Sequence, residues 1–145
     1  MRIHHVIAFF VLFSNSFNLQ AQIEKTKHFV FNLDSISTIK INVSDEFVVD
    51  FWPGNTMLIE TNIQLFDANP NIFKSNDKEG RYDFLSSVNA QELTIYPKFT
   101  SRKTLQSKTQ QLYEIVKLKL YISEEFQMTD PNTYTRTTVP PAFRE

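Results

Sequence analysis

The stretch EIVKLKLYI, residues 114–122, decides the fold class of this chain. Its even positions from 116 to 122 are all aliphatic, whereas positions 117, 119 and 121 are lysine, lysine and tyrosine. This period of two is typical of a β-strand that buries one face. A shift of register by one residue would bury both lysines, so only one orientation of the strand is acceptable. We therefore predict a core strand whose aliphatic side chains point inward.

A similar alternation recurs along the chain, and the apolar residues that carry it are mostly aromatic or β-branched. We predict further strands at residues 28–33, 38–43, 46–52, 57–65, 81–86 and 92–97. The segments 38–43 (TIKINV) and 46–52 (EFVVDFW) flank Ser44 and Asp45. Because this polar connection is short, we predict that the two strands form a hairpin.

The connections between these strands are polar. Between residues 67 and 80 we predict a loop (67–71), a short strand (72–74) and a charged turn (76–80). Residues 98–112 are polar as well, with Leu105 and Leu112 as their only aliphatic anchors. We interpret this segment as a long hairpin connection between the strand that ends at residue 97 and the core strand.

Seven or eight strands joined by turns predict one all-β domain over residues 22–128. It is built either as an antiparallel two-layer β-sandwich or as the start of a β-solenoid. The chain has two glycines, Gly54 and Gly80, for tight left-handed corners, and this scarcity counts against a pure solenoid. Residues 129–145 are rich in Thr and Pro and poor in core residues. We therefore predict an irregular tail there.

Residues 1–21 have the three-part layout of a secretory signal peptide. Arg2 gives a positive start, residues 6–13 (VIAFFVLF) are an unbroken apolar run, and a polar stretch leads to Ala21. The apolar run is far shorter than the roughly 20 residues that a membrane-spanning helix needs. We predict a signal helix that is cleaved after Ala21 and no membrane span. The expected destination is the periplasm, the cell surface or the extracellular medium.

The charge balance and the missing cysteines narrow the function further. The formal net charge of -1 offers no electrostatic attraction to nucleic acid or to anionic membranes, so we predict no nucleic-acid partner. The chain has no cysteine and therefore no disulfide of the kind that stabilises many small exported domains. Its stability must come from an apolar core.

The order of the segments resembles that of the bacterial auto-transporter adhesin head-domain group and of related bacterial β-solenoid domains of unknown function. The resemblance covers residues 29–122 and is carried by FNLDSISTIKINVSDEFVVDFWPG, MLIETNIQL, EGRYDF, ELTIYP and EIVKLKLYI. In that group an alternating hairpin follows an opening strand, and a later strand ends in hydrophobic-x-hydrophobic-Pro; residues 47–52 and 93–97 fill those places. Members usually continue through many more turns of Gly- and Asn-rich repeat than this sequence contains. The resemblance implies cell-surface adhesion or scaffolding and brings no catalytic residues.

No set of side chains in the sequence predicts catalysis or metal binding. Nucleophilic catalysis and zinc sites draw on His or Cys, and His28 is the single histidine beyond the predicted cleavage site. Residues 67–71 (DANPN) begin like a calcium loop, but Ile72 and Lys78 stand where the loop needs Gly and Glu. We therefore predict no catalytic, cofactor-binding or metal-ligating residue.

Four residues are candidate ligand contacts. Trp52 stands before a Pro-Gly turn, a context in which its ring could stack on a sugar. Lys98, Arg102 and Lys103 belong to a basic segment that is free of acidic residues and could contact an anionic glycan. Core packing of Trp52 and ordinary solvation of the basic side chains are the alternatives.

The function that we predict is an exported, non-catalytic, adhesin-like interaction module that binds a protein or glycan of the cell envelope or surface and needs no cofactor. The alternative is a small exported carbohydrate-active enzyme that uses two carboxylates about 5–10 Å apart. Its candidate acids are Asp45, Glu46, Asp50 and Glu60. Their positions near strand ends and on exposed faces also suit acids that discourage pairing between sheet edges, which favours the module.

Overall fold

Residues 22–108 and 111–137 are described by the computed structural model, and they form two β-sheets that pack face to face, with one short helix. In chain order the elements are β1 (Gln22–Asn32), β2 (Thr38–Ile41), β3 (Phe47–Trp52), β4 (Thr56–Phe66), α1 (Pro70–Glu79), β5 (Phe84–Asn89), β6 (Glu92–Pro97), β7 (Tyr113–Ser123), β8 (Phe126–Asp130) and β9 (Thr133–Arg136). The predicted signal segment and residues 138–145 of the predicted tail lie outside the described residues. Within the described ranges, no helix is long and apolar enough to cross a membrane.

Each sheet mixes antiparallel and parallel pairing. The first sheet has the order β1-β4-β7-β3, and its β7–β3 pair is parallel. The second sheet has the order β5-β6-β2-β9-β8, and its β6–β2 pair is parallel. The predicted two-layer sandwich is therefore confirmed, whereas the fully antiparallel pairing and the β-solenoid alternative are wrong.

The hairpin predicted for β2 and β3 is also wrong, because these strands lie in different sheets. Residues 42–46 carry the chain from the second sheet to the first instead of turning it back on itself. As a result, β2 pairs with β6 and β9, and β3 pairs with β7. This crossing places β3 at one edge of the first sheet.

The main core lies between the two sheets and follows the alternation seen in the sequence. Leu118, Leu120 and Ile122 of β7 are buried, as predicted, and they meet the inner rows of β4 and of the second sheet. Full burial of one such side chain contributes about 1.5–3 kcal/mol. Because the chain has no disulfide, this burial is the main source of its stability.

Residues 70–79 form a helix where the sequence pattern predicted a loop, a short strand and a charged turn. Asn69 caps its first turn, since its side chain accepts a hydrogen bond of 2.9 Å from the backbone N–H of Asn71. Pro70 suits the first turn, where a backbone N–H has no helical partner. Gly80 ends the helix in the left-handed conformation, with φ 81°.

A second, smaller core lies under α1 and under the segment between β6 and β7. Phe73 of α1 stacks on Tyr82 with 5.9 Å between ring centroids, and both pack against the far end of β4. Leu105 and Leu112 are buried in the same cluster, which confirms them as anchors. The predicted hairpin connection is wrong, because residues 98–112 join the second sheet to the first.

The irregular tail predicted from residue 129 onward is wrong for residues 129–137. β9 pairs with β2 on one side and with β8 on the other, and Tyr134 is buried between the sheets. The guanidinium of Arg136 donates hydrogen bonds to the backbone carbonyls of Leu33 and Ile36. The Thr-rich composition that indicated a tail is compatible with a strand, because threonine is β-branched.

Candidate binding groove

A groove of about 900 Å³ opens along the side of the sandwich where β3 ends the first sheet and β8, next to β9, ends the second. It is bounded by the connection before β3, by the first half of β3, and by the turn between β8 and β9. The apolar residues that line it are Val43, Phe47, Val48, Val49, Leu118, Met128, Pro131 and Tyr134. The charged residues of the lining are Asp45, Glu46 and Lys117.

The register of β3 explains why the groove is apolar. Phe47, Val49 and Phe51 are in register with the buried aliphatic row of β7, so they point to the inner face of the sheet. Among residues 22–108 and 111–137, no strand pairs with the other edge of β3. Phe51 is therefore 50% exposed, although its ring lies 6.3 Å from that of Tyr134. On the opposite face of the strand, Val48 is 61% exposed.

β3 differs from the edge strands β1 and β8 in the position of its charge: its one charged residue, Asp50, is on the outer face and pairs with Lys119. Lys25 and Lys27 of β1 are in register with the inner row of β4, so they point inward. An inward charge protects a sheet edge, because pairing with another strand would bury it. The pairing of β8 is irregular between Met128 and Asp130, and Pro131 follows. β3 has neither an inward charge nor such an irregularity.

Trp52, a predicted ligand contact, lies on the outer face of the first sheet and not in the groove. Its ring is tilted against Tyr121 with 5.8 Å between centroids. Its indole N–H donates a hydrogen bond of 2.8 Å to the backbone carbonyl of Thr56. These contacts fix the ring at the end of β3, at the start of the turn that leads to β4.

The basic residues predicted as ligand contacts are distributed over different parts of the connection after β6. Lys98 donates a hydrogen bond of 2.9 Å from Nζ to the carbonyl of Glu79, at the end of α1. Arg102 pairs with Asp45 and so reaches the rim of the groove. The backbone carbonyl of Lys103 accepts a hydrogen bond of 2.7 Å from Arg81. The structure therefore brings only Arg102 to the groove, and none of the three to Trp52.

A largely buried network attaches the connection after β6 to the rest of the fold. Arg81 donates two hydrogen bonds to Glu114, of 3.1 and 2.8 Å, and the hydroxyl of Tyr82 donates a third of 2.7 Å. Burial opposes ionisation of Glu114, but the hydrogen bonds from Arg81 and Tyr82 outweigh it and lower the pKa of this carboxyl. Burial and the neighbouring carboxylate raise the pKa of Tyr82, so its phenol stays protonated and keeps donating.

The carboxylates proposed for the enzyme alternative are mostly paired with cations or with a histidine. The pairs are Asp45 with Arg102, Asp50 with Lys119 at 2.8 Å, and Glu60 with His28 at 3.3 Å. Glu46 is exposed at the groove. In the part of the chain that the structure describes, no group of three His, Cys, Asp or Glu side chains could hold a metal ion.

The chain matches no protein-family model, no curated protein and no solved structure. The resemblance to adhesin head domains therefore stays a prediction.

The groove was not predicted from the sequence, because a strand pattern does not show which strand ends a sheet. The available signal was a contrast between two strands: Phe47, Val49 and Phe51 form an apolar row, whereas the corresponding row of β1 includes two lysines.

Proposed function

We propose that this chain is an exported, non-catalytic interaction module of the cell envelope or cell surface, and that it binds an extended polypeptide strand along β3. The observation that carries the proposal is the apolar groove beside an edge strand with no inward charge. A strand added at such an edge gains main-chain hydrogen bonds, and every second side chain points into the gap between the sheets.

The length and lining of the site indicate the length and the side chains of the segment that it binds. β3 has six residues, and the groove runs along residues 43–49. A complementary segment therefore spans about 20 Å of extended chain. Its inward side chains must be apolar, because they meet Phe47, Val49 and Met128.

A polypeptide suits this site better than a glycan does. Glycan binding through Trp52 would need an open ring face next to polar groups, whereas this ring packs on Tyr121 and its N–H is already bonded. The enzyme alternative has no specific support, because Asp45, Asp50 and Glu60 are each held by a neighbouring side chain.

Titration of the full-length protein with a ten-residue peptide of alternating valine and threonine, ended by lysines, tests the proposal. Trp52 is the only tryptophan and lies at the end of β3, so its fluorescence reports binding. We expect saturable binding to the wild type. Phe51→Lys should weaken it about 10-fold or more, because an inward lysine opposes pairing at a sheet edge.

Phe99→Lys is the matched control, since Phe99 is 44% exposed and lies in the connection after β6. This variant should bind the peptide as the wild type does. Absence of peptide binding by the wild type would contradict the proposal, as would equal losses in the two lysine variants.

A further inference from the structure

We infer that the strand accepted along β3 is β3 of a second copy of this chain, which gives a dimer with two-fold symmetry. The inference rests on the proposed function, because it names the partner of the same groove. Its basis is the near-symmetric sequence FVVDF around Val49, in which Phe47 and Phe51 stand two residues to either side.

An antiparallel pairing centred on Val49 is compatible with the pleat of both strands. Residues that face each other in this register have the same inward or outward orientation. Phe47 faces Phe51 of the second copy on the inner face, and Val48 faces Asp50 of the second copy on the outer face. Val49 meets its own equivalent on the two-fold axis.

The neighbouring registers are opposed by charge. A pairing centred on Asp50 sets the two Asp50 carboxylates opposite each other, and one centred on Val48 sets Glu46 opposite Asp50. Like charges directly opposite each other destabilise antiparallel pairs. The register centred on Val49 sets no acid opposite an acid, and it leaves Asp50 its ion pair with Lys119.

The same register fills the groove with an aromatic side chain. Phe47 lines the groove, whereas Phe51 lies beyond its lining and is half exposed. Pairing brings Phe51 of each copy beside Phe47 of the other copy, where Met128 is also 63% exposed. Phe51 of each copy thus contacts Phe47 of the other, so the same contact forms twice, as a two-fold interface requires.

The outer edges of the joined sheet also oppose further addition. Pairing through β3 joins two four-stranded sheets into one continuous sheet whose two outer edges are the β1 strands. Both of these edges carry Lys25 and Lys27 on the inner row. Since inward lysines oppose strand addition, the joined sheet does not readily extend beyond two copies.

Analytical ultracentrifugation of the full-length protein at micromolar concentrations tests the inference through two opposite substitutions at one position. Val48→Asp sets a carboxylate opposite Asp50 twice per dimer. We expect it to raise the dissociation constant of the dimer about 10- to 30-fold. Val48→Lys sets an ammonium opposite the same carboxylate, so we expect a dimer at least as tight as the wild type's.

Val30→Asp is the matched control. Val30 is 64% exposed on the outer face of β1, the other edge of the same sheet, so its replacement should leave the dimer unchanged. The inference is overturned if the wild type is monomeric, if the two Val48 variants behave alike, or if Val30→Asp weakens the dimer as Val48→Asp does.

The peptide of alternating valine and threonine separates this inference from the proposed function. A monomeric wild type that still binds the peptide overturns the second copy as partner and leaves the proposed function standing. A monomer that binds no peptide overturns both. Circular dichroism shows whether Val48→Asp folds. If it does not fold, the peptide gives a second measurement on the wild type, because a peptide that competes for β3 must dissociate the dimer. A dimer that persists in the presence of saturating peptide overturns the inference.

Discussion

At the scale of single residues, Thr61 is the clearest mismatch between a side chain and its surroundings. It lies on the inner row of β4, only 1% exposed, between Ile59 and Ile63. Its hydroxyl has no hydrogen-bond partner among the residues that the structure describes. Valine has nearly the same shape and no polar atom to desolvate. We expect Thr61→Val to raise the free energy of unfolding by about 1 kcal/mol, measured by urea titration.

Thr26→Val is the control for the change of residue type. Thr26 is exposed on β1, so its substitution alters strand propensity without relieving any buried polar group. We expect a change within about 0.5 kcal/mol at this position. A Thr61→Val protein that unfolds at lower urea than the wild type would show that the hydroxyl is satisfied in solution.

At the scale of elements, the sequence predicted which side chains of a strand are buried, because burial requires an alternating pattern. It did not predict which strands pair with each other, because pairing depends on residues far apart in the chain. The inward row of β7 follows from Leu118, Leu120 and Ile122 alternating with lysines. α1 was missed because Phe73 is its only buried residue, so the apolar periodicity of a helix is absent. Its caps, Asn69 before Pro70 and glycine after Glu79, were visible and carried the correct signal.

The connection between β2 and β3 shows a second reason why the sequence did not predict the strand pairing. A short polar segment such as residues 42–46 can reverse the chain within one sheet or carry it to the opposite sheet. Its composition is the same in either case, and the choice depends on which distant strands are available to pair. The groove depends on that choice, because the crossing brings β3 to the edge of the first sheet. For this reason the sequence pattern indicated Trp52 as a ligand contact on β3 but did not indicate Phe47 or Phe51.

Besides its buried leucines, the segment between β6 and β7 is held through the carboxylate of Glu114, which pairs with Arg81 while Arg81 also donates to the backbone carbonyl of Lys103. Because the folded pKa of Glu114 is lowered, its ionised form stabilises the fold fully above the ordinary glutamate pKa of about 4.3. This stabilisation is lost as the pH falls through the lowered value. We expect the free energy of unfolding to decrease more steeply between about pH 5 and pH 3 in the wild type than in Glu114→Gln.

At neutral pH the same variant should be about 2–4 kcal/mol less stable, because Arg81 is left largely buried without its carboxylate. Denaturant titrations across the pH range measure both effects. Glu24→Gln is the control, since Glu24 is exposed and accepts a hydrogen bond from the neutral side chain of Asn62. Parallel pH profiles for the wild type and Glu114→Gln would contradict the role given to Glu114.

At the scale of the whole molecule, the two edges of the first sheet have opposite character. β3 presents an apolar inner row beside a groove, whereas β1 is longer, with eleven residues, and presents inward lysines. A net charge of -1 gives little overall repulsion between copies. Local features therefore determine where copies meet, and Lys25 and Lys27 direct association away from β1.

Removal of one inward lysine should therefore change the size of the assembly. Lys27 also binds Asp77 and Asp83, so its loss would disturb the fold, whereas Lys25 is exposed. We expect Lys25→Val to form oligomers larger than those of the wild type in light scattering, because valine leaves the β1 edge free to pair. Lys40→Val removes the same charge from a central strand, β2, and should not enlarge the assembly. Equal scattering from both variants would mean that something other than an inward lysine protects β1.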